Sequence, residues 1–444
     1  MLFKLQKLLY SGDIKNVPQP DPIIRTHPYR NGTEQINYDV YDEMEEKHMA
    51  QCLEGIRVLD IATVIAAPFA AGLLADFGAE VIKVEMPGRG DAFRAMGPLK
   101  DGVSVRWPSM GRNKKTVTLD FHYEEGKKLF MKLVAKSDVV IENFKTGTLD
   151  KWGIGVDEMK KVNPNIIVTH VTGYGQTGPN AKLAGLGTPL QAFSGMTYMQ
   201  GYPDRPPVSP PFALADYVGG LNAALGTMMA LYHRDAMKGA GQEVDVSLYE
   251  GLFRFMDAMT AEYGLWGKVR ERSPMPSGAS CPIGTFETKD KRFAIIVCST
   301  NPVFWHLCDA MDRPDWRPKY DLAKDRLADP KPIMDAVTEW CATHTYDEIK
   351  EKCDKAGVPI SSIYSMKDIF EDAQYAARHD IVDIESDELG CSVKAPGIFP
   401  VLTGTPGEIK WGGKKIGACN DEIYGSLLEL SAEELAELRE KKII

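Results

Sequence analysis

The chain has 444 residues, 44% of them hydrophobic and 26% charged, an ordinary globular composition with length enough for two or three domains. A net charge of −10 argues against the basic face that nucleic-acid binding requires. Eight cysteines, at positions 52, 281, 298, 308, 341, 353, 391 and 419, show no C-x-x-C and no zinc-type spacing, which reads as reduced thiols in a cytoplasmic protein, and no stretch reaches the ~18–20 uninterrupted apolar residues of a membrane span.

Residues 1–50 are polar and charged after an amphipathic start, MLFKLQKLLYSGD, and read as an N-terminal arm ahead of the folded part. From Gly55 the pattern becomes IRVLDI, the loop ATVIAAP, a helix FAAGLLADFG and AEVIKVE, which is strand, helix and strand at the spacing of a parallel βαβ unit. TVTLDF, EEGKKLFMKLVAKS, DVVIENF, a helix at 156–162 and IIVTHVTGYG repeat the cycle. Buried strands with helical crossovers predict an α/β fold with a Rossmann-like parallel sheet covered on both faces. GQEVDVSLYEGLFRFMDAMTAEYGLWG reads as one more strand and one long helix. Composition shifts at SPMPSGASCPIG, so 51–250 and 385–444 are assigned to a large domain, 251–280 to a linker and 281–384 to a smaller α+β domain with its return segment. In that smaller domain FETKDKRFAIIVCS reads as a hairpin and AGVPISSIYSM as a further strand.

Ligands on parallel sheets sit beyond the carboxyl ends of the strands. Here those ends carry Ala62–Pro68, Pro87–Asp91, Asn143–Gly147 and Gly173–Pro179, with no G-x-G-x-x-G after the first strand and no P-loop. The Pro-rich run PPVSPPFALADYVGG places Asp216 at or near a helix N-terminus, where free N–H groups and the macrodipole favour an ionised carboxylate. Two roles fit: an N-cap, or a nucleophile for acyl transfer beside small residues that admit a ligand. Spacing alone leaves both open.

Taken in order, GIRVLDIATVIAAPFAAGLLADFGAEVIKVEMPGRGD, NKKTVTLDF, VIENFKTGTLDKWG, NPNIIVTHVTGYGQTGP, QAFSGM, ADYVGGLNAALG and GAGQEVDVSLYE resemble the family III CoA-transferases, over about 55–250 continuously. The resemblance implies that coenzyme A esters are substrates, with no tightly bound cofactor and no metal. It implies that Asp216 carries acyl and CoA groups in turn: attack on the donor thioester gives a mixed anhydride, released CoA converts it to an aspartyl-CoA thioester, and the acceptor acid completes the exchange. By the same resemblance Thr63, Val64, Ala66, Leu119, Asn143, Phe144, Lys151 and Trp152 contact CoA, Lys151 standing where the family commonly has Arg. Ile65 replaces a Gln near the reaction centre of formyl-CoA transferase, and Met86 and His122 replace basic CoA ligands. Oxyanion donors are sought at Gly219 and Gly220 and in the loop holding Ser277 and Gly278. Ordinary packing and loop roles weigh about equally for these four.

The racemases of the superfamily carry a His-Asp pair where this chain has Leu186 and Gly187, and a leucine moves no proton, so the resemblance disfavours racemisation. The partners it implies are an acyl-CoA and a free carboxylic acid, in an interlocked homodimer or a hetero-oligomer with a related chain. A non-catalytic subunit of such an oligomer is the competing reading. Ile65 and the segment QAFSGMTYMQGY favour an acid larger and less polar than formate or oxalate.

Overall fold

The computed structural model describes residues 50–274 and 280–444, so residues 1–49 of the predicted N-terminal arm and the residues Ser277 and Gly278 lie outside the described residues. β1 (Arg57–Asp60), α1 (Ala66–Asp76) and β2 (Glu80–Glu85) open the fold, and a hairpin of β3 (Leu99–Lys100) and β4 (Val103–Ser104) leads to the single turn α2 (Trp107–Met110). Next come β5 (Lys114–Thr118), α3 (Glu124–Ala135), β6 (Val139–Glu142), α4 (Thr148–Trp152), α5 (Val156–Val162) and β7 (Ile167–Thr172). They are followed by α6 (Gly187–Phe193), α7 (Met196–Met199), α8 (Leu214–Asp235) and β8 (Glu243–Ser247).

The six long strands pair in parallel in the order β5-β2-β1-β6-β7-β8. This is the doubly wound order, with its switch point between β1 and β6. Strand periodicity explains the two cores: Val58, Val81, Val139 and Ile167 face α1 and α8, while their neighbours Leu59, Ile82, Val140 and Val168 face α3, α5 and the C-terminal residues Ile423 and Tyr424.

After β8 the expected long helix is broken. α9 (Leu248–Phe253) passes into a 3₁₀ turn at Arg254–Met256 and α10 (Met259–Trp266), because Asp257 takes a φ of 48°, which no right-handed helix can carry through. A second sheet, antiparallel in the order β11-β10-β9, is formed by β9 (Ile283–Glu287), β10 (Phe293–Val297) and β11 (Ile360–Ser362). With it lie α11 (Asn301–Ala310), α12 (Trp316–Tyr320), α13 (Ala323–Ala328), α14 (Lys331–Thr343) and α15 (Tyr346–Ala356), which share an apolar core of Phe286, Phe304, Leu307, Val337 and Trp340.

Two short helices, α16 (Met366–Glu371) and α17 (Ala373–Ala377), lead to a hairpin of β12 (Ile381–Ser386) and β13 (Cys391–Pro396) that the sequence reading did not contain. The tail then returns to the edge of the large sheet. Cys419 N–H donates to the Thr116 carbonyl at 2.9 Å, Tyr424 Oη to that of Thr118 at 2.9 Å, and Asp120 N–H to that of Ile443 at 2.9 Å. The last helix, α18 (Ala432–Glu440), starts on a Ser431/Glu434 capping box. No helix among the described residues is long and apolar enough to cross a membrane.

Candidate active site

The loop after β1 is fixed by charges buried inside the sheet. Lys83 on β2 reaches Asp91 Oδ2 at 2.9 Å and Asp60 Oδ1 at 3.4 Å and donates to the Ala62 carbonyl; Lys114 on β5 reaches Asp60 Oδ2 at 2.9 Å and the Pro68 carbonyl at 2.6 Å. Desolvation alone would push the Asp91 carboxyl up, but Lys83 and the N–H groups of Phe93 and Val64 outweigh it and hold it below the usual carboxylate range. Asp91 in turn accepts from Val64 N–H at 3.0 Å. Val64 has a φ of 71°, left-handed and unusual for a β-branched residue, and the Asp91 contact helps to hold it there. From β6, Asn143 clamps the same loop, accepting from Thr63 N–H at 2.9 Å and donating to the Thr63 carbonyl at 2.7 Å.

Beside this loop, at the carboxyl ends of β1, β2, β5 and β6, lies a cleft of about 100 Å³. Thr63, Leu119, Phe144 and Trp152 line it, together with Met86 and His122. Trp152 is the centre of an aromatic wall, with ring centroids 5.0 Å from Phe144, 5.8 Å from His122 and 6.0 Å from Phe121. The other positions expected to contact CoA are placed differently. Asn143 spends its amide on the Thr63 backbone, Val64 packs toward Phe93 and Trp107, Ala66 is buried beneath α8, and Lys151 is exposed next to Trp152. Lys83 is the one lysine or arginine in the lining, and its ammonium is engaged by Asp91 and Asp60; Arg89 stands exposed on the turn between Met86 and Gly90.

Asp216 stands in the first turn of α8, whose residues Ala213 and Tyr217 pack against the same loop. α8 begins earlier than the Pro-rich run suggested, with Ala213 as N-cap, so Asp216 is the third residue of the helix rather than its cap. Burial pushes its carboxyl up from the ordinary Asp value, with its own backbone N–H opposing the shift, so desolvation outweighs the helix terminus that was expected to keep it low. A Cβ built on Gly187 would lie 1.9 Å from Asp216 Oδ2, so the first residue of α6 leaves room for this carboxylate by having no side chain. Leu186, the residue before it, is 74% exposed.

The flanks of Asp216 rest on the loop. Ala213 and Tyr217 pack with Val64 and Ile65, and Tyr217 meets Phe69 edge-on at 5.0 Å. One five-residue loop, 61–65, therefore lines the cleft with Ile61, Ala62 and Thr63 and supports the Asp216 turn with Val64 and Ile65. Gly219 and Gly220 are helix-crossing residues: added Cβ atoms would lie 2.5 Å from Leu248 Cδ2 and 2.5 Å from the Ala66 carbonyl oxygen. As the sixth and seventh residues of α8 their N–H groups bond one turn back, which gives them packing roles instead of the oxyanion role.

The residues that sequence reading missed are Asp60, Lys83, Asp91 and Lys114. Their signal was present, since a lysine inside EVIKVE and an aspartate inside RVLDI are charges in strands buried on both faces.

The family model described as CoA-transferase family III matches residues 53–419. The chain is 41% identical over 397 residues to the succinyl-CoA–L-malate CoA-transferase beta subunit of Chloroflexus aurantiacus, covering 88% of this chain and 98% of that one. It is 36% identical over 404 residues to the succinyl-CoA–D-citramalate CoA-transferase of the same organism, covering 90% and 100%. A solved CAIB/BAIF family protein from Brucella suis superposes with a TM-score of 0.75 at 29% identity, over 85% of this chain and 100% of that one. These matches establish that the chain is an enzyme belonging to CoA-transferase family III.

Proposed function

We propose that this enzyme moves CoA from an acyl-CoA to a free carboxylic acid through an aspartyl-CoA thioester on Asp216. The observation that carries the reading is the state of that carboxylate: half-buried, in the first turn of α8, with Gly187 cleared from its path and no side chain donating to it among the described residues. Such a group is less well solvated than a surface carboxylate and so more nucleophilic toward a thioester held against it. The cleft supports the nucleotide end. Phe144, Trp152 and His122 offer ring faces to a base, and Lys151 and Arg89 offer cations for phosphates in place of the basic residues absent at Met86 and His122. Thr63, Val64, Ala66, Leu119 and Asn143 contribute as the wall and supports of the loop between the two ends.

The substrates we propose are succinyl-CoA or a similar short acyl-CoA as donor and a dicarboxylate as acceptor, because the two similar transferases are named for malate and citramalate. This keeps the size expected from QAFSGMTYMQGY and gives up its low polarity. Eight free thiols, six of them buried, fit a reducing compartment such as the cytoplasm. Leu221, Leu225, Met229 and Tyr232 form an exposed apolar stripe along α8 at helical spacing, which supports a second chain covering it. That chain is a second copy or, given a relative named as a beta subunit, a related one.

The test is intact-protein mass spectrometry after mixing with succinyl-CoA and no acceptor. A covalent CoA adduct that hydroxylamine removes and Asp216→Ala abolishes is the expected result; full transfer activity in Asp216→Ala ends the assignment.

A further inference from the structure

The motif QAFSGM begins with Gln191, a buried amide on α6. Gln191 is 1% exposed, and its Nε2 has no hydrogen-bond partner. It stands in α6 one turn after Gly187. A helical side chain leans toward the helix N-terminus and covers the turn before its own Cα. For Gln191 the turn so covered begins with Gly187, which has no side chain and whose Cβ position is 1.9 Å from Asp216 Oδ2. By that spacing Gln191 shares the face of α6 that carries Gly187, and no hydrogen bond joins its amide to the Asp216 carboxylate. A buried N–H left unpaired is unfavourable, and a donor already in place beside a nucleophile is suited to an oxygen that the substrate brings.

We propose that Gln191 is a catalytic residue whose Nε2–H donates a hydrogen bond to the acyl oxygen as charge develops on it during attack by Asp216. The proposal rests on Asp216 being the nucleophile. In that step an Asp216 carboxylate oxygen forms a bond to the thioester carbon, and the C=O π pair moves onto the acyl oxygen, which takes the Gln191 hydrogen bond. On collapse the pair returns to re-form C=O, the C–S bond breaks, and CoA leaves as thiolate with the bonding electrons. The donor adds most when the oxygen is an anion, so its loss falls on kcat more than on KM.

The variant Gln191→Leu, similar in length and without a donor, tests this. The expected outcome is a kcat lower by on the order of 10²- to 10³-fold with KM for succinyl-CoA nearly unchanged. The melting temperature is expected to stay level or rise, because a buried unpaired amide has been replaced by an apolar group. The CoA adduct on Asp216 still forms, but its single-turnover rate drops with kcat. An unchanged kcat overturns the proposal, and so does a fall in kcat matched by a fall in melting temperature, which is what a packing role gives. If Gln191→Leu does not fold, Gln191→Met carries the same kinetic test. Absence of any adduct in the wild-type protein removes the reading of Asp216, and this proposal with it; a wild-type adduct with an unaltered rate in Gln191→Leu removes this proposal alone.

Discussion

Asp91 and the first turn of α8, which carries Asp216, both bear on the same five-residue loop, and the surroundings of the two carboxylates differ in almost every respect. Asp91 accepts from the N–H groups of Val64 and Phe93 and faces the Lys83 ammonium at 2.9 Å, so despite its burial its carboxyl is held below the usual range. Asp216 is partly desolvated with little in compensation, and its carboxyl is pushed up. The first carboxylate is fully satisfied and fixes backbone; the second is left under-satisfied, as the proposed nucleophile requires. Within one site, hydrogen-bond satisfaction separates the structural acid from the proposed nucleophile.

Removing the satisfied member should cost the most stability. Asp91→Ala leaves the buried Lys83 with the Ala62 carbonyl and, as its one remaining ion-pair partner among the described residues, Asp60 at 3.4 Å, and it removes the contact that helps to hold Val64 in its left-handed conformation, so a loss of about 3 kcal/mol or more is expected in denaturant unfolding. A stability within error of wild type would show that the ion network is not what holds the loop. Crowding the unsatisfied member should act on rate instead. Gly187→Ala sets a methyl against Asp216 Oδ2 and moves the carboxylate, and a misplacement of that size lowers kcat by about 10²-fold. Steady-state kinetics with the melting temperature measured alongside would check that the loss is catalytic and not a loss of fold.

The smallest effect is in pH. Asp91, depressed in the folded state, contributes stability that is present above its unfolded value and lost as pH falls through the folded one. Asp216, raised in the folded state, has the opposite sign: its contribution is full below the unfolded value and lost as pH rises through the folded one. Asp216→Asn should therefore raise the melting temperature near neutral pH and lose that advantage in acid. An advantage that grows toward acid would reverse the assignment. Activity in the wild type should fall as pH drops through the raised value, because the nucleophile must be ionised.

Much of the sheet was legible because buried parallel strands are near-continuous apolar runs and their helices carry clear periodicity; the helix at 156–162 is found at the residues expected. The start of α8 was not, since Pro210 and Pro211 masked the helix that Leu214 begins. The hairpin IVDIES/CSVKAP mixes polar and apolar residues in a short span and gives a weak strand signal. Asp216 was legible through its motif, but its neighbours were not. Gly187, Lys83 and Asp91 acquire their roles only when strand register and the α6–α8 packing bring them together, and no local spacing encodes that.

The central claim is that Asp216 itself carries the transferred group, and oxygen exchange tests it most directly. When an acceptor acid labelled with ¹⁸O in its carboxylate attacks the aspartyl-CoA thioester, one labelled oxygen bridges the new anhydride. That oxygen stays on the aspartate when CoA takes the acyl group away. After turnover with succinyl-CoA and ¹⁸O-malate, proteolysis and mass spectrometry should find the label in the peptide containing Asp216, and on that side chain. Product formed over many turnovers with no label at Asp216 would contradict the account.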